Sequence, residues 1–383
     1  MKNLLMTRKP LVAACAAAVL TGCLGGSGSG SSAPNFSSLV GDIQTLSNDP
    51  ALVSGGNVLV EVSLSDSASA GNVVVELNGT DVTSAFALRA EDRFIGLVEG
   101  LDLGENTLLA YERDRPGASA ELVVTNHPSH GPIFSGPQLD PWICAQPSSQ
   151  TVEVENPRDG STANANTRVS GLSTVADDNC AIPREVTYYY QPPAELDENG
   201  EPIPCNFTFT GAGACFVPWD ADNPPADANI ARFTNDRGDT VRSILAVERG
   251  ALNRGIYSLA VFHDPEQPHH PADPQLGWNN KMVFTFGGSS GGSRFQSPAG
   301  TPNFNQAALE KGYMLVQSSL NDHGTNANHA LGAETLMMIK EHVVETWGPI
   351  RYTVGTGGSG GAIVQLTMAS SYPGLLDGLI PSL

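Results

Sequence analysis

The strongest constraint on the fold lies near the C-terminal end of the sequence, where a β-like run and a helix-like run are joined by five residues rich in glycine. Residues 352–354 are β-formers, and residues 362–368 suit a helix. The intervening residues 357–361 read Gly-Gly-Ser-Gly-Gly. Because glycine has no Cβ, it lets a strand and a helix approach each other closely. The segment therefore predicts a strand, a tight turn and a helix.

The same five residues fit the Gly-x-Ser-x-Gly pattern of a nucleophile elbow, with Ser359 at its centre. Two other interpretations remain open. Residues 355–360 also fit the Gly-x-Gly-x-x-Gly dinucleotide fingerprint, with Asp377 about 20 positions downstream as its acidic residue. The second alternative is that the segment is only a glycine-rich turn.

Length and charge limit the classes of protein. With 383 residues, of which 40% are hydrophobic, the chain can build two or three domains. Its formal net charge is −20. Binding to phosphate backbones needs clustered Lys and Arg, so a nucleic-acid partner is not expected.

The N-terminus predicts export. Basic residues Lys2, Arg8 and Lys9 precede an apolar run, residues 11–20, which is too short to span a bilayer. We interpret residues 1–22 as a signal peptide.

The sequence Leu-Thr-Gly-Cys that ends at Cys23 resembles a bacterial lipobox. That resemblance implies cleavage before Cys23, lipid attachment to its sulfur, and anchoring in the outer membrane or at the cell surface of a Gram-negative bacterium. Residues 23–36, rich in Gly and Ser, would form a flexible tether. An ordinary secretory signal is the alternative.

The remaining cysteines fit an oxidising compartment. Cys144, Cys180, Cys205 and Cys215 are even in number, and we predict the pairs 144–180 and 205–215. A zinc site is the alternative, but the spacings are irregular and no histidine is close in sequence, so no metal is predicted.

Residues 37–126 are predicted to form a small all-β, immunoglobulin-like sandwich. Short β-like runs alternate there with turn signals, including a hairpin signal at Asn78-Gly79. A spacer and a substrate-docking module are both open roles for this sandwich.

Residues 127–238 are predicted to be a disulfide-bearing linker or decoration. Asp220, Asp222, Asn223 and Asp227 supply oxygen ligands of the kind that calcium prefers, but their spacing does not match an EF-hand loop. A solvated acidic loop is the simpler interpretation.

From about residue 239 the pattern alternates between strands and helices. Such alternation favours a parallel sheet with helices on both faces. The predicted strands are residues 240–248, 256–263, 281–286, 313–318 and 352–354, with helices at 305–311, 331–347 and 362–368.

This order resembles the core of the α/β-hydrolase superfamily, with the glycine loop (residues 287–292) in the position of that family's oxyanion loop. With the lipoprotein-like start, the chain is similar to secreted bacterial esterases of the tannase, feruloyl esterase or polyester depolymerase kind. The resemblance implies that Ser359 is the nucleophile. It also implies that the N–H of Gly360 and that of Gly287 or Gly288 bind the oxyanion. The implied fold class is α/β, an incomplete hydrolase-like and mostly parallel sheet over residues 239–383, preceded by the sandwich.

The general base is absent from the expected position. In the resembled family the acid and the histidine follow the serine, but no histidine follows Ser359, and Asp377 comes too early. We therefore expect this chain to be the N-terminal part of a catalytic domain and, alone, to lack activity on simple aryl esters. Asp322 and His323 follow a predicted strand and are possible pocket residues.

Three functions compete. The preferred one is a lipid-anchored serine hydrolase for small or polymeric carboxylic esters, without a cofactor. The second is a noncatalytic surface lipoprotein on a hydrolase-like scaffold, and the third is a nucleotide-dependent oxidoreductase.

Overall fold

The computed structural model describes residues 38–205, 214–299 and 305–383. The predicted signal peptide, the tether and the lipidation residue Cys23 lie outside these described residues. Within the described ranges, no helix combines the length and the apolar character needed to cross a bilayer.

The N-terminal region, residues 38–127, consists of two sheets that share one apolar core and is called the sandwich below. One sheet has the order β1-β3-β7-β6 and the other β2-β9-β8-β4-β5. Alternate residues of β3, such as Val58 and Val60, point inward and meet Leu108 and Val124 of the facing sheet. The strands are β1 (Val40–Thr45), β2 (Val53–Ser54), β3 (Asn57–Leu64), β4 (Val73–Leu77), β5 (Thr80–Asp81), β6 (Phe86–Leu88), β7 (Phe94–Glu99), β8 (Gly104–Glu112) and β9 (Arg115–His127).

The hairpin predicted at Asn78-Gly79 is confirmed, because both residues have positive φ and they join the paired strands β4 and β5. The immunoglobulin-like assignment of the sandwich stays a prediction.

Both predicted disulfides are present. Cys144 is bonded to Cys180 and Cys205 to Cys215. The strands of the middle region are β10 (Thr151–Glu155), β11 (Thr162–Asn166), β12 (Glu185–Tyr190), β13 (Val217–Pro218), β14 (Arg232–Thr234) and β15 (Thr240–Arg242). Two of them, β12 and β13, form one edge of the largest sheet, so part of the predicted linker region belongs to that sheet.

The largest sheet has eight strands in the order β13-β12-β16-β17-β19-β18-β20-β21 and is called the large sheet below. Its remaining strands are β16 (Ile244–Leu252), β17 (Gly255–Phe262), β18 (Lys281–Gly287), β19 (Met314–Asp322), β20 (Tyr352–Gly358) and β21 (Gly378–Ser382). The accompanying helices are α1 (Gln306–Leu309), α2 (His329–Thr346) and α3 (Gly360–Ser371).

The large sheet is mixed, so the prediction of a mostly parallel sheet is wrong for half of it. Strands β19, β18, β20 and β21 are parallel to one another, whereas β13, β12, β16 and β17 pair antiparallel. The physical reason is local. Asn253 and Arg254, with φ of 52° and 64°, form a two-residue turn that folds β17 back onto β16.

Side chains of the large sheet alternate between two cores. Met282, Phe284 and Phe286 pack against α2 and α3 on one face. On the other face Val283 packs with Leu309 of α1 and with Phe216, next to a disulfide. The predicted helices on both faces are therefore found, but in the described part of the chain the second face has only the four-residue α1. In the parallel half, the C-terminal ends of β18, β19 and β20 lie on the same side of the sheet, which is a hydrolase-like arrangement. The candidate site lies at these C-terminal ends.

Candidate active site

Ser359 lies at a sharp corner between β20 and α3. Its backbone has φ 54° and ψ −118°, a conformation that is uncommon and strained for a residue with a Cβ. The corner is held by the Ser359 N–H, which donates to the Ser382 carbonyl of β21 at 2.9 Å. The side chain is exposed. This is the geometry that the nucleophile-elbow interpretation predicts, with the hydroxyl raised above the end of the sheet.

The glycines around Ser359 are required by close backbone contacts. A Cβ at Gly357 or at Gly361 would overlap the Phe286 carbonyl oxygen of β18. A Cβ at Gly360 would overlap the Ser289 carbonyl oxygen of the glycine loop. The elbow therefore presses directly against β18 and the loop that follows it. The glycines are therefore a steric requirement of this corner.

The glycine loop lies beside the serine. A Cβ on Gly288 would lie 3.9 Å from the Ser359 Cβ and 3.2 Å from the Gly358 carbonyl oxygen. Within the described residues, the Gly288 N–H makes no backbone hydrogen bond. Gly360 is the first residue of α3, where N–H groups have no partner inside the helix. Gly288 and Gly360 thus both lie next to the serine, and within the described residues neither N–H group makes a backbone hydrogen bond, so both can serve as oxyanion donors.

Gly287, the other predicted oxyanion residue, has a different environment. It pairs with Asp322 at the end of the β18–β19 ladder, and the Asp322 carboxyl group occupies the place of a Cβ on Gly287. Of the two residues that the sequence offered, the structure thus places Gly288 next to the serine and Gly287 against Asp322.

Asp322 and His323 both contact the glycine loop. The Asp322 carboxylate accepts from the Gly324 N–H at 2.9 Å. His323 is buried, and its Nδ1 lies 2.7 Å from the Ser289 carbonyl oxygen. Its ring stacks on that of His329, with ring centroids 5.5 Å apart. Burial first and the neighbouring His323 second lower the pKa of His329.

Gln365 is a site residue that sequence reasoning missed. It is fully buried in α3, and its Nε2 donates to the carbonyls of Gly357 and Gly361 at 3.0 Å and 3.1 Å. Its Oε1 accepts from the Ile380 N–H. The side chain thus ties together both sides of the elbow and β21. The available signal was one amide side chain within the apolar first half of α3.

Asp377 does not belong to the site. Its carboxylate accepts from the Thr353 N–H at 2.7 Å, at the beginning of β20, while Ser359 follows the end of that strand. Asp377 therefore lies near the N-terminal end of β20, whereas the glycine turn follows its C-terminal end. A dinucleotide-binding acid must be near the glycines, so the structure removes the support for the oxidoreductase interpretation.

A cavity of about 630 Å³ is also distant from Ser359. Phe262 and His263, at the C-terminal end of β17, line it. Because β17 runs antiparallel to β19, this cavity lies at the N-terminal ends of the parallel strands, away from the candidate site. A small cavity of about 80 Å³ lies beside the site and is lined by Gly287, Asp322 and Thr325. Within the described residues no cluster of three or more metal-ligating side chains occurs.

Comparison with solved structures shows distant likenesses. The chain resembles a prolyl endopeptidase (11% identity, 88% of this chain and 54% of that chain, TM-score 0.24). It also resembles oligopeptidase B from Trypanosoma brucei (12% identity, 87% and 53%, TM-score 0.22). A putative dipeptidyl aminopeptidase IV from Bacteroides ovatus is a further match (9% identity, 85% and 41%, TM-score 0.21). The chain spans about half the length of these structures.

Comparison with known sequences shows the family. No curated protein matches the chain significantly. A family model does match, over residues 43–383, which covers both the sandwich and the large sheet. The chain belongs to the tannase-like family of unknown function (DUF6351).

Proposed function

We propose that the protein is a serine hydrolase that cleaves carboxylic esters through a covalent acyl-serine at Ser359. The observation that carries the proposal is the strained, exposed Ser359 flanked by the free N–H groups of Gly288 and Gly360. Strain at a non-glycine residue is characteristic of functional sites. The tannase-like description of the family favours esters as the substrate class.

The geometry supports a two-step acyl transfer. The Ser359 Oγ attacks the ester carbonyl carbon, the carbonyl oxygen becomes an oxyanion, and the alcohol leaves with a proton. The N–H groups of Gly288 and Gly360 then stabilise the oxyanion, together with the positive end of the α3 dipole. Loss of one such donor typically raises the barrier by about 3–4 kcal/mol. Water then releases the acid from the serine.

The reaction also needs a base for the Ser359 proton. Within the described residues, no histidine is hydrogen bonded to the Ser359 Oγ. His323, the histidine next to the elbow, instead contacts the Ser289 carbonyl. This observation favours a second candidate function, a noncatalytic binding scaffold.

We further propose that the protein is exported and held at the outer membrane by a lipid on Cys23. The two disulfides support the oxidising compartment, because cytosolic proteins rarely keep such bonds. The partners in this proposal are the membrane and a small or polymeric ester, without nucleic acid.

Ester turnover by the full-length protein tests the proposal. We expect hydrolysis of a short-chain aryl ester that falls at least about 1,000-fold in Ser359→Ala, because removal of the nucleophile ends covalent catalysis. Ser370→Ala, an exposed serine of the same helix, is the matched control and should keep wild-type activity. Absence of turnover in the wild type would instead favour the binding scaffold, and equal turnover in Ser359→Ala would exclude Ser359 as the nucleophile.

A further inference from the structure

His323 is bound to the glycine loop at three points. Its backbone N–H donates to the Gly287 carbonyl at 3.2 Å, and its own carbonyl accepts from the Gly291 N–H at 2.9 Å. Between them, the imidazole Nδ1 lies 2.7 Å from the Ser289 carbonyl oxygen. One residue at the end of β19 thus contacts the first, third and fifth residues of the loop.

The third contact defines the protonation of the ring. A carbonyl oxygen can only accept, so the Nδ1 of His323 carries the hydrogen and donates it. Stacking on His329 and burial, with 7% of the residue exposed, further restrict the ring. The imidazole is therefore a fixed donor aimed at the loop.

The loop needs such a restraint at Ser289. That residue has φ 65°, in the left-handed region that residues with a Cβ rarely adopt. Its carbonyl oxygen also lies where a Cβ on Gly360 would be, so the loop, the elbow and the imidazole meet at this one oxygen. Gly288, immediately before it, and Gly360, below it, are the two proposed oxyanion donors.

We infer that His323 is a positioning residue that holds the oxyanion loop through the Ser289 carbonyl, and that it is not the base for Ser359. The inference rests on the proposed function for its catalytic meaning. Removal of the Nδ1 donor would let Ser289 relax toward an ordinary backbone conformation. The Gly288 N–H would then no longer be aligned with the Gly360 N–H.

Side chains that place a donor differently can test this role. Asparagine carries an NH2 group near the position of the imidazole Nδ1, glutamine carries one near Nε2, and alanine carries none. His323→Asn should therefore keep the hydrogen bond to Ser289, whereas His323→Gln and His323→Ala should lose it. None of the three can act as a base.

The experiment measures kcat and KM for a short-chain aryl ester, thermal stability, and amide hydrogen exchange of residues 287–293 in the full-length protein. We expect His323→Ala and His323→Gln to lower kcat about 100–1,000-fold, as loss of an oxyanion donor does, with KM within about threefold. Loop exchange should become faster in both variants. His323→Asn should stay within about tenfold of wild-type kcat, with wild-type exchange.

Two results would overturn the inference. In the first, His323→Asn is as inactive as His323→Ala, although its loop exchanges like that of the wild type. That result would make the imidazole itself the base. The other is unchanged loop exchange in all three variants. If the wild type hydrolyses no ester, the proposed function fails by itself, and the exchange rates still decide whether His323 holds the loop.

Discussion

The sandwich and the large sheet with its helices differ in what they bury. In the described residues of the sandwich, the buried polar side chains are the neutral ones of Ser54, Asn106 and Asn126. The buried carboxylates of the described chain all lie outside it, and they belong to Glu248, Glu334, Glu341 and Glu345. Burial of a charge is unfavourable unless partners satisfy it, so a region that buries several uses them to fix positions.

Three of these carboxylates lie on α2 and reach in different directions. Glu334 accepts from the N–H groups of Ile133, Phe134 and Ser135 at 2.9, 2.5 and 2.6 Å. Glu341 accepts from the N–H and the hydroxyl of Ser54 in the sandwich. The helix therefore connects the sandwich, the segment after it and the large sheet. Both regions have apolar cores, but among the described residues the second region also buries carboxylates, and those of α2 carry the polar contacts.

The largest effect is expected from Glu334→Ala. The substitution removes a buried carboxylate and leaves three partly buried backbone N–H groups without their acceptor, so we expect a loss of about 3–5 kcal/mol in the free energy of unfolding. Chemical denaturation measures it. Glu310→Ala, an exposed glutamate, is the control and should behave like the wild type. A change below about 1 kcal/mol for Glu334→Ala would contradict the role of polar contacts in this region.

A core substitution in the sandwich sharpens the other side of the comparison. Leu108 is fully buried, and Leu108→Ala should lower the free energy of unfolding by about 2–5 kcal/mol. Well below the melting temperature, hydrolysis by the full-length protein should be unchanged, because the sandwich supplies none of the described site residues. Leu103→Ala, at a leucine that is 70% exposed, is the matched control. If Leu108→Ala lowered the activity and Leu103→Ala did not, the sandwich would be shown to shape the site.

The smallest effect concerns pH at the contact between the two regions. Burial raises the pKa of Glu341 to about 7, and burial together with the neighbouring Glu341 raises the pKa of Glu345 well above its ordinary value. Between about pH 4.5 and pH 7 this pair therefore binds more protons in the folded protein than in the unfolded chain, and its contribution to stability falls as the pH rises through that window. The slope is at most about 1.4 kcal/mol per pH unit for each proton.

Glu345→Gln tests this pH dependence. The substitution removes one titrating group and the repulsion that it exerts on Glu341, so the slope of stability against pH between pH 4.5 and 7 should become less negative than in the wild type. Thermal or chemical denaturation over that pH range measures the slope. Glu105→Gln, an exposed glutamate of the sandwich, should keep the wild-type slope. An unchanged slope in Glu345→Gln would show that the pair does not control it.

Local sequence patterns predicted the elements that depend on local chemistry. The glycines around Ser359 predicted the corner, because close backbone contacts at this turn leave no room for a Cβ at those positions. Strand runs such as those of β18 and β20 were read from composition and length. The prediction of a mostly parallel sheet is wrong for β16 and β17, because the turn at Asn253 and Arg254 pairs them antiparallel.

The contacts that hold the site could not be read in the same way. Glu334 and Ser135 are 199 positions apart, and His323 and Ser289 are 34 apart. Neither separation distinguishes the pair from other pairs of polar residues in the sequence. Gln365 shows the same difficulty, because its role depends on the Ile380 N–H of a neighbouring strand.

Reaction of the full-length protein with a fluorophosphonate probe, followed by peptide mapping, tests the central claim most directly. An activated serine beside an oxyanion site attacks the phosphorus and retains the adduct. The account predicts one modified peptide, containing Ser359, which is absent in Ser359→Ala and retained in Ser370→Ala. Absence of label in the wild type, or a label that persists in Ser359→Ala, would contradict it.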